Sequence, residues 1–223
     1  MEKLPYPAHA DVDAVLPAAT PAEPGPRAKN DWRNGLPALT GSLVTLRELR
    51  PGDAQSLFVA LTSDEVTRFL SPPPPTVAGF EKFIAWSLRQ RAAGQYIAFA
   101  VVPQGSDSAI GVFQVRSLEP EFGTAEWGFA IASEFWGTGM FGDAARLAMA
   151  FAFDTLGAHR LEARGALANG RGNAAIRKLG ATREGVLSKS FLRHGDHHDE
   201  ALWTILADDW RDAQRVGRSR QIH

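Results

Sequence analysis

Two rhythms of apolar and polar positions alternate along this chain. Leu43 to Leu49 reads as a first strand. After Arg50-Pro51-Gly52-Asp53, the set Ala54, Leu57, Phe58 and Leu61 recurs at helical spacing, and so does Phe80, Phe83, Ile84, Ser87 and Leu88 beyond the turn-rich Ser71 to Pro75. Tyr96 to Val102, Ile110 to Leu118 and Thr124 to Ala132 then follow as strands joined by short polar or Gly/Pro turns, the pattern of an antiparallel meander. In the third of these, Ala125, Trp127, Phe129 and Ile131 alternate with Glu126, Gly128 and Ala130, which predicts one bulky face and one small face carrying a carboxylate.

A long helix is predicted next, because Phe141, Ala144, Ala145, Ala148, Phe151, Ala152 and Leu156 fit a 3.6 period that Gly157 stops. A strand from Arg160 to Leu167 leads to Asn169-Gly170-Arg171-Gly172 and a short helix, Asn173 to Leu179, ended by Gly180. Two strands, about Thr182 to Arg193 and Asp199 to Leu206, complete a mixed α/β pattern.

The ends differ from this core. Seven of the 14 prolines lie in the first 40 residues, a segment with neither period, which is expected to be an extended arm: a strap on a partner subunit or a poorly ordered tail. Residues 41–210 are expected to form the domain. Residues 211–223, with Arg211, Arg215, Arg218 and Arg220, are expected to be a basic solvated tail, with continuation of a helix begun near Ala207 as the alternative.

Composition narrows the chemistry. At 223 residues there is room for one domain with extra segments. With 24 basic and 25 acidic side chains, the net charge of -1 gives no general reason to expect nucleic acid or an acidic membrane as partner. The absence of cysteine excludes disulfides, thiolate metal sites and any mechanism that parks an acyl group on a Cys sulfur. The longest apolar run, Leu147 to Phe153, is too short to span a bilayer, and no secretory stretch opens the chain, so the expected location is cytoplasmic.

Between the third meander strand and the long helix stand Gly137, Gly139 and Gly142. A glycine-rich strand-to-helix turn directs backbone N–H groups and the positive helix end toward an anion, most naturally a phosphate. The count matches the dinucleotide spacing G-x-G-x-x-G literally. The antiparallel meander before it and the missing βαβ unit argue against that reading, and the Lys-Ser/Thr pair of a nucleotide P-loop is absent.

The wider arrangement resembles the GCN5-related N-acetyltransferase (GNAT) family, in its RimJ/RimL-like branch, over residues 41 to about 210. The resemblance is carried by Val44 to Leu49, Ala125-Glu126-Trp127-Gly128-Phe129, Phe135-Trp136-Gly137-Thr138-Gly139, His159 to Arg164, Asn169, and Lys178 to Gly185. It implies an α+β fold, a mixed, mostly antiparallel twisted sheet of about seven strands flanked by helices. It implies acetyl-CoA as cofactor. Phe129, Ala130 and Ile131 would pair with the pantetheine arm, and Trp136, Gly137, Thr138, Gly139, Met140, Phe141 and Gly142 would cradle the pyrophosphate. Asn169 would bind the cofactor, cap the next helix, or do both, with Asn173 beside it. Two positions depart from the family pattern: Phe141 stands where Gly or Ala is usual, and Gly172 where relatives often carry a Ser that reprotonates the thiolate.

Acetyl transfer to an amine would need a base, since an amine is mostly ammonium at neutral pH, and a fixed donor for the oxyanion. Glu126 is the first candidate base, with a structural salt bridge to an Arg on the neighbouring strand as the competing role. His194, within a cluster containing Asp196, His197, His198 and Asp199, is an alternative base or acceptor contact, and no metal is expected there. Ser190, with Ser188, is a reserve candidate for returning a proton. The acceptor would be a small amine or a protein N-terminus, and a homodimer is compatible with the arm. A catalytically weak module that binds coenzyme A is the competing class.

Overall fold

A computed structural model describes residues 31–193 and 195–220 of the chain, with side chains through residue 215. Strands β1 (Leu39–Thr40) and β2 (Val44–Glu48) come first, followed by helices α1 (Ala54–Leu61), α2 (Asp64–Thr67) and α3 (Val77–Ala92). The meander is β3 (Tyr96–Pro103), β4 (Gly111–Ser117) and β5 (Thr124–Ile131). Helix α4 (Met140–Ala150) continues as a π-helical segment, Phe151–Leu156. Strand β6 (Arg160–Ala166), helix α5 (Gly170–Lys178), strands β7 (Thr182–Arg193) and β8 (Asp196–Leu206), and helix α6 (Ala207–Arg220) complete the chain.

The strands form one eight-stranded sheet in the order β1-β2-β3-β4-β5-β6-β8-β7. All neighbours are antiparallel except β5 and β6. The eighth strand is β1, a short addition that the sequence pattern did not reveal. It brings residues 31–40 into the domain rather than leaving them as an arm: Trp32 is buried and packs edge-on against Phe122 at 5.5 Å. Residues 1–30 lie outside the described residues.

Local chemistry sets the element ends. Thr76 caps α3 by accepting from the Gly79 N–H at 3.0 Å, and Gly157, at φ 79°, ends the long helix where the apolar period also ends. Helix α6 carries the C-terminal segment on to Arg220; Trp210, on its first turn, is buried against Phe153 at 5.9 Å, while Arg211, Asp212, Ala213 and Arg215 beyond it are exposed.

The two sheet faces are differently clothed. Tyr96, Arg116, Glu126 and Glu162 are successive cross-strand partners and so share one face. Trp86 of α3 packs on Tyr96 at 4.9 Å, which puts α3 over that face. The other face carries Phe99, Phe113, Trp127 and Phe129, and α4 covers it through Phe129–Phe141 at 4.3 Å and, just beyond its end, Phe99–Phe151 at 5.2 Å. Among the described residues, no helix is long and apolar enough to cross a membrane.

Candidate active site

The sheet parts in the middle. Strands β5 and β6 pair only at Thr124–Arg160, Ala125–Leu161 and Glu126–Glu162. Beyond that row β4 follows β5 to Ile131 and β8 follows β6 to Ala166, so each strand stays paired on its outer side while the inner edges diverge. The result is a cleft whose vertex is the Glu126–Glu162 row.

Backbone polarity in this cleft follows from the antiparallel ladder. The Leu118 N–H bonds Thr124 O and the Ala132 N–H bonds Ile110 O, so even-numbered residues of β5 direct their backbone groups to β4. Odd-numbered residues, Trp127, Phe129 and Ile131, direct theirs toward the β6 side. This corrects the expectation for Ala130, whose N–H and C=O belong to the β4 ladder opposite Val112. At the far end Ile131 O accepts the Trp136 indole N–H at 2.9 Å, which ties the glycine loop to the strand.

The loop occupies the open end of the cleft. Gly137 and Gly139 adopt φ 81° and 88°, left-handed values that glycine reaches without strain. A side-chain carbon on Gly137 would meet nothing within 4 Å, leaving its surroundings open to a ligand. Thr138 Oγ donates to Phe135 O at 2.7 Å and holds the turn. Because the first helical bond runs from the Asp143 N–H to Gly139 O, the N–H groups of Phe141 and Gly142 precede the helical ladder, next to the positive helix end. Phe141, the departure from the family pattern, turns its ring onto Phe129 and so sends its bulk into the core.

Asp143, in the first turn of α4, directs its carboxylate to the turn between β1 and β2. Its buried carboxylate accepts from the Leu43 N–H at 2.7 Å, the Val44 N–H at 3.1 Å and the Ser42 hydroxyl at 3.2 Å. Burial alone would raise its pKa, but these donors together hold it below the usual carboxylate range. A side-chain carbon on Gly41 would come within 2.3 Å of this carboxylate, so any larger residue there would displace it from these donors.

Across the cleft, buried Asn169 accepts the Gly172 N–H at 2.9 Å and so caps α5. Its Nδ2 is buried with no hydrogen-bond partner. An orphaned donor facing neither water nor protein fits a cofactor carbonyl or phosphate, so the cap does not exhaust the residue. Together with the exposed glycines and the N–H groups of α4, these groups suit the anionic and amide-rich body of coenzyme A. A Cβ on Gly172 would lie 2.5 Å from Asn169 Nδ2, so the serine common in relatives has no room beside this rotamer. Asn173 is corrected to a structural role: Nδ2 donates to Ala166 O and Asn169 O, each at 2.8 Å, and Oδ1 accepts from Trp203 at 2.8 Å.

Glu126 sits at the vertex on the α3 side, its side chain 11% exposed and paired with Arg116 on β4. Its other neighbour, Glu162, is engaged by Arg160 at 2.8 Å. Arg160 also grips Glu184 through two bonds of 2.9 and 2.7 Å, which hold the Glu184 carboxyl below and the Arg160 guanidinium above their usual ranges.

The other catalytic candidates are not gathered there. Ser190 Oγ donates to Glu200 at 2.7 Å, and Glu200 faces Ala166, four residues along β6 from Glu162, about 13 Å at strand rise. Glu200 itself, 2% exposed, is a buried carboxylate that the strand pattern gave no reason to single out. Ser188, His197 and His198 are exposed, Asp199 accepts the Lys189 N–H in a β7 bulge at 2.8 Å, and His194 lies outside the described residues. No cluster of three or more potential metal ligands occurs among the described residues. A cavity of about 290 Å³ lined by Arg146, Asp154, Trp210 and Arg211 lies between α4 and α6, apart from the cleft.

A model of the acetyltransferase (GNAT) domain matches residues 44–182, which span the meander, the loop, the cleft and Asn169. The chain belongs to the GNAT acetyltransferase family. It is an acetyl-transferring enzyme, and the cofactor of this family is acetyl-CoA. The N-acetyltransferase YoaA of Bacillus subtilis is 25% identical over 176 residues, 77% of this chain and 97% of that one. YdaF of the same organism, provisionally named a ribosomal N-acetyltransferase, is 27% identical over 173 residues, 75% and 93% of the two chains. Among solved structures, Mycobacterium smegmatis RimJ in complex with CoA-disulfide superposes with a TM-score of 0.69 at 20% identity, covering 78% of this chain and 90% of that one. That likeness is one of fold.

Proposed function

We propose that this GNAT enzyme acetylates a primary amine, on a protein N-terminus or a small molecule, by direct attack within a ternary complex in the cytoplasm. The parting of β5 from β6 beyond Glu126 carries the reading, because it opens an extended strand edge between the glycine loop and Asn169. Similarity to YdaF, provisionally named a ribosomal N-acetyltransferase, supports a protein acceptor.

Acetyl-CoA, when bound, supplies a thioester carbon open to an uncharged amine. The odd-numbered residues of β5 would align the pantetheine arm, and one of their N–H groups would donate to the carbonyl oxygen. Residues Gly137 to Gly142 and Asn169 would hold the pyrophosphate and neighbouring polar groups. Glu126 would take the ammonium proton, directly or through one water, on the face that α3 covers. The acceptor nitrogen would then bond the acetyl carbon as the carbon–sulfur bond breaks, Glu126 keeping the first nitrogen proton while the second passes through water to the departing sulfur. With Ser190 engaged by Glu200 and no hydroxyl at Gly172, solvent is the source this geometry supports best.

Free-thiol release from acetyl-CoA, followed against peptides of varied N-terminal residue and against small amines, tests the reading. Acetylated peptide with matching thiol release is expected. Coenzyme A binding without thiol release on any acceptor would mark a binding module instead.

A further inference from the structure

The lips of the cleft touch at one place. The guanidinium of Arg171, in the first turn of α5, lies over the ring of Trp136 in the glycine loop, 4.4 Å from its centroid. This stacking joins the segment after β6 to the segment after β5, the two strands whose divergence opens the cleft. A cation over an indole keeps its edge donors available, since the contact uses the flat face of the guanidinium. Among the described residues, Arg171 has no hydrogen bond or ion pair, and it is exposed.

Charge around the loop gives this contact its meaning. Residues Trp136 to Gly142 include no basic side chain. A helix N-terminus supplies only about half an elementary charge, against about two negative charges on a pyrophosphate. Asp143 directs its carboxylate to the β1–β2 turn, and Arg146 on α4, whose Nη1 would lie 3.6 Å from a side-chain carbon on Gly142, is 4.0 Å from that same carboxylate, which offsets part of its charge. Arg177 and Lys178 stand at the other end of α5. Arg171 is the cation that stands over the loop and faces no carboxylate, two positions along the chain from Asn169, whose Nδ2 is orphaned.

Resting on the acetyl-CoA reading of this cleft, we propose that Arg171 is a cation of the cofactor site, stacked on Trp136 so that its free edge pairs with the pyrophosphate and clasps the two lips around it. The pairing is charge-assisted and geometrically fixed. It makes Arg171 a binding residue contributed by α5, two positions beyond its cap Asn169, facing the glycine loop at the N-terminus of α4.

Calorimetric titration of coenzyme A and 3′-dephospho-CoA into the wild type, Arg171→Met and Arg171→Lys tests this without reference to turnover. Arg171→Met is expected to bind both ligands about tenfold more weakly, with a shallower salt dependence and an unchanged melting temperature, and Arg171→Lys is expected to fall between. Equal affinities in all three proteins would overturn the proposal. A loss seen with coenzyme A and absent with 3′-dephospho-CoA would move the contact to the 3′-phosphate and overturn the pyrophosphate assignment. A wild type that binds neither ligand would overturn the acetyl-CoA reading itself.

Discussion

The carboxylate of Asp143 accepts the backbone N–H of Leu43 at 2.7 Å across 100 positions of sequence. One residue in the first turn of α4 thereby anchors the helix whose N-terminus forms the glycine loop to the start of β2. The loop is held from both sides, by this anchor and by the Trp136 indole on Ile131 O.

Replacing Asp143 by Asn leaves an acceptor but removes its charge from several donors. A loss of about 1–3 kcal/mol is expected from denaturant unfolding. The pH dependence has a definite sign. The folded pKa lies below the unfolded value near 3.8, so the stabilisation is present above that value and is lost as pH falls through the folded pKa. The wild-type advantage over Asp143→Asn should therefore be full at pH 7 and shrink below about pH 4.

Asn169→Asp separates the cap from the ligand contact. Aspartate caps as well as asparagine and suits a helix N-terminus, so the melting temperature should hold or rise. The orphaned donor becomes an anion beside phosphate, and coenzyme A affinity should fall about tenfold or more by titration. Unchanged affinity would reduce Asn169 to a cap.

Glu126→Gln should lower kcat by about a hundredfold or more and flatten the acidic limb of the pH–rate profile. Its partner Arg116 is 48% exposed, so loss of the ion pair should change stability by less than about 1 kcal/mol. An unchanged rate and profile would make Glu126 only the structural partner of Arg116.

The period-two alternation of Ala125 to Ile131 was legible because the strand's two faces are covered by different elements and so take residues of different size, and the loop was legible because its left-handed turns favour glycine at 137 and 139. What stayed hidden depends on long-range pairing. Nothing near Asp143 announces Leu43, nothing near Arg171 announces Trp136, and the burial of Glu200 comes from the strands around it. The same holds for β1, whose pairing with β2 and whose neighbour Trp32, packed on Phe122, depend on partners far along the chain. Ala130 and Asn173 show a further limit: sequence proximity to a site does not say which way a backbone carbonyl or a side chain faces.

A crystal structure with acetyl-CoA tests the central claim most directly. The account predicts pantetheine between β5 and β6, the pyrophosphate within hydrogen-bond distance of the N–H groups of residues 137–142, and the thioester near the Glu126 row. Cofactor seated elsewhere, for instance in the cavity between α4 and α6, with the β5–β6 cleft filled only by water, would contradict it.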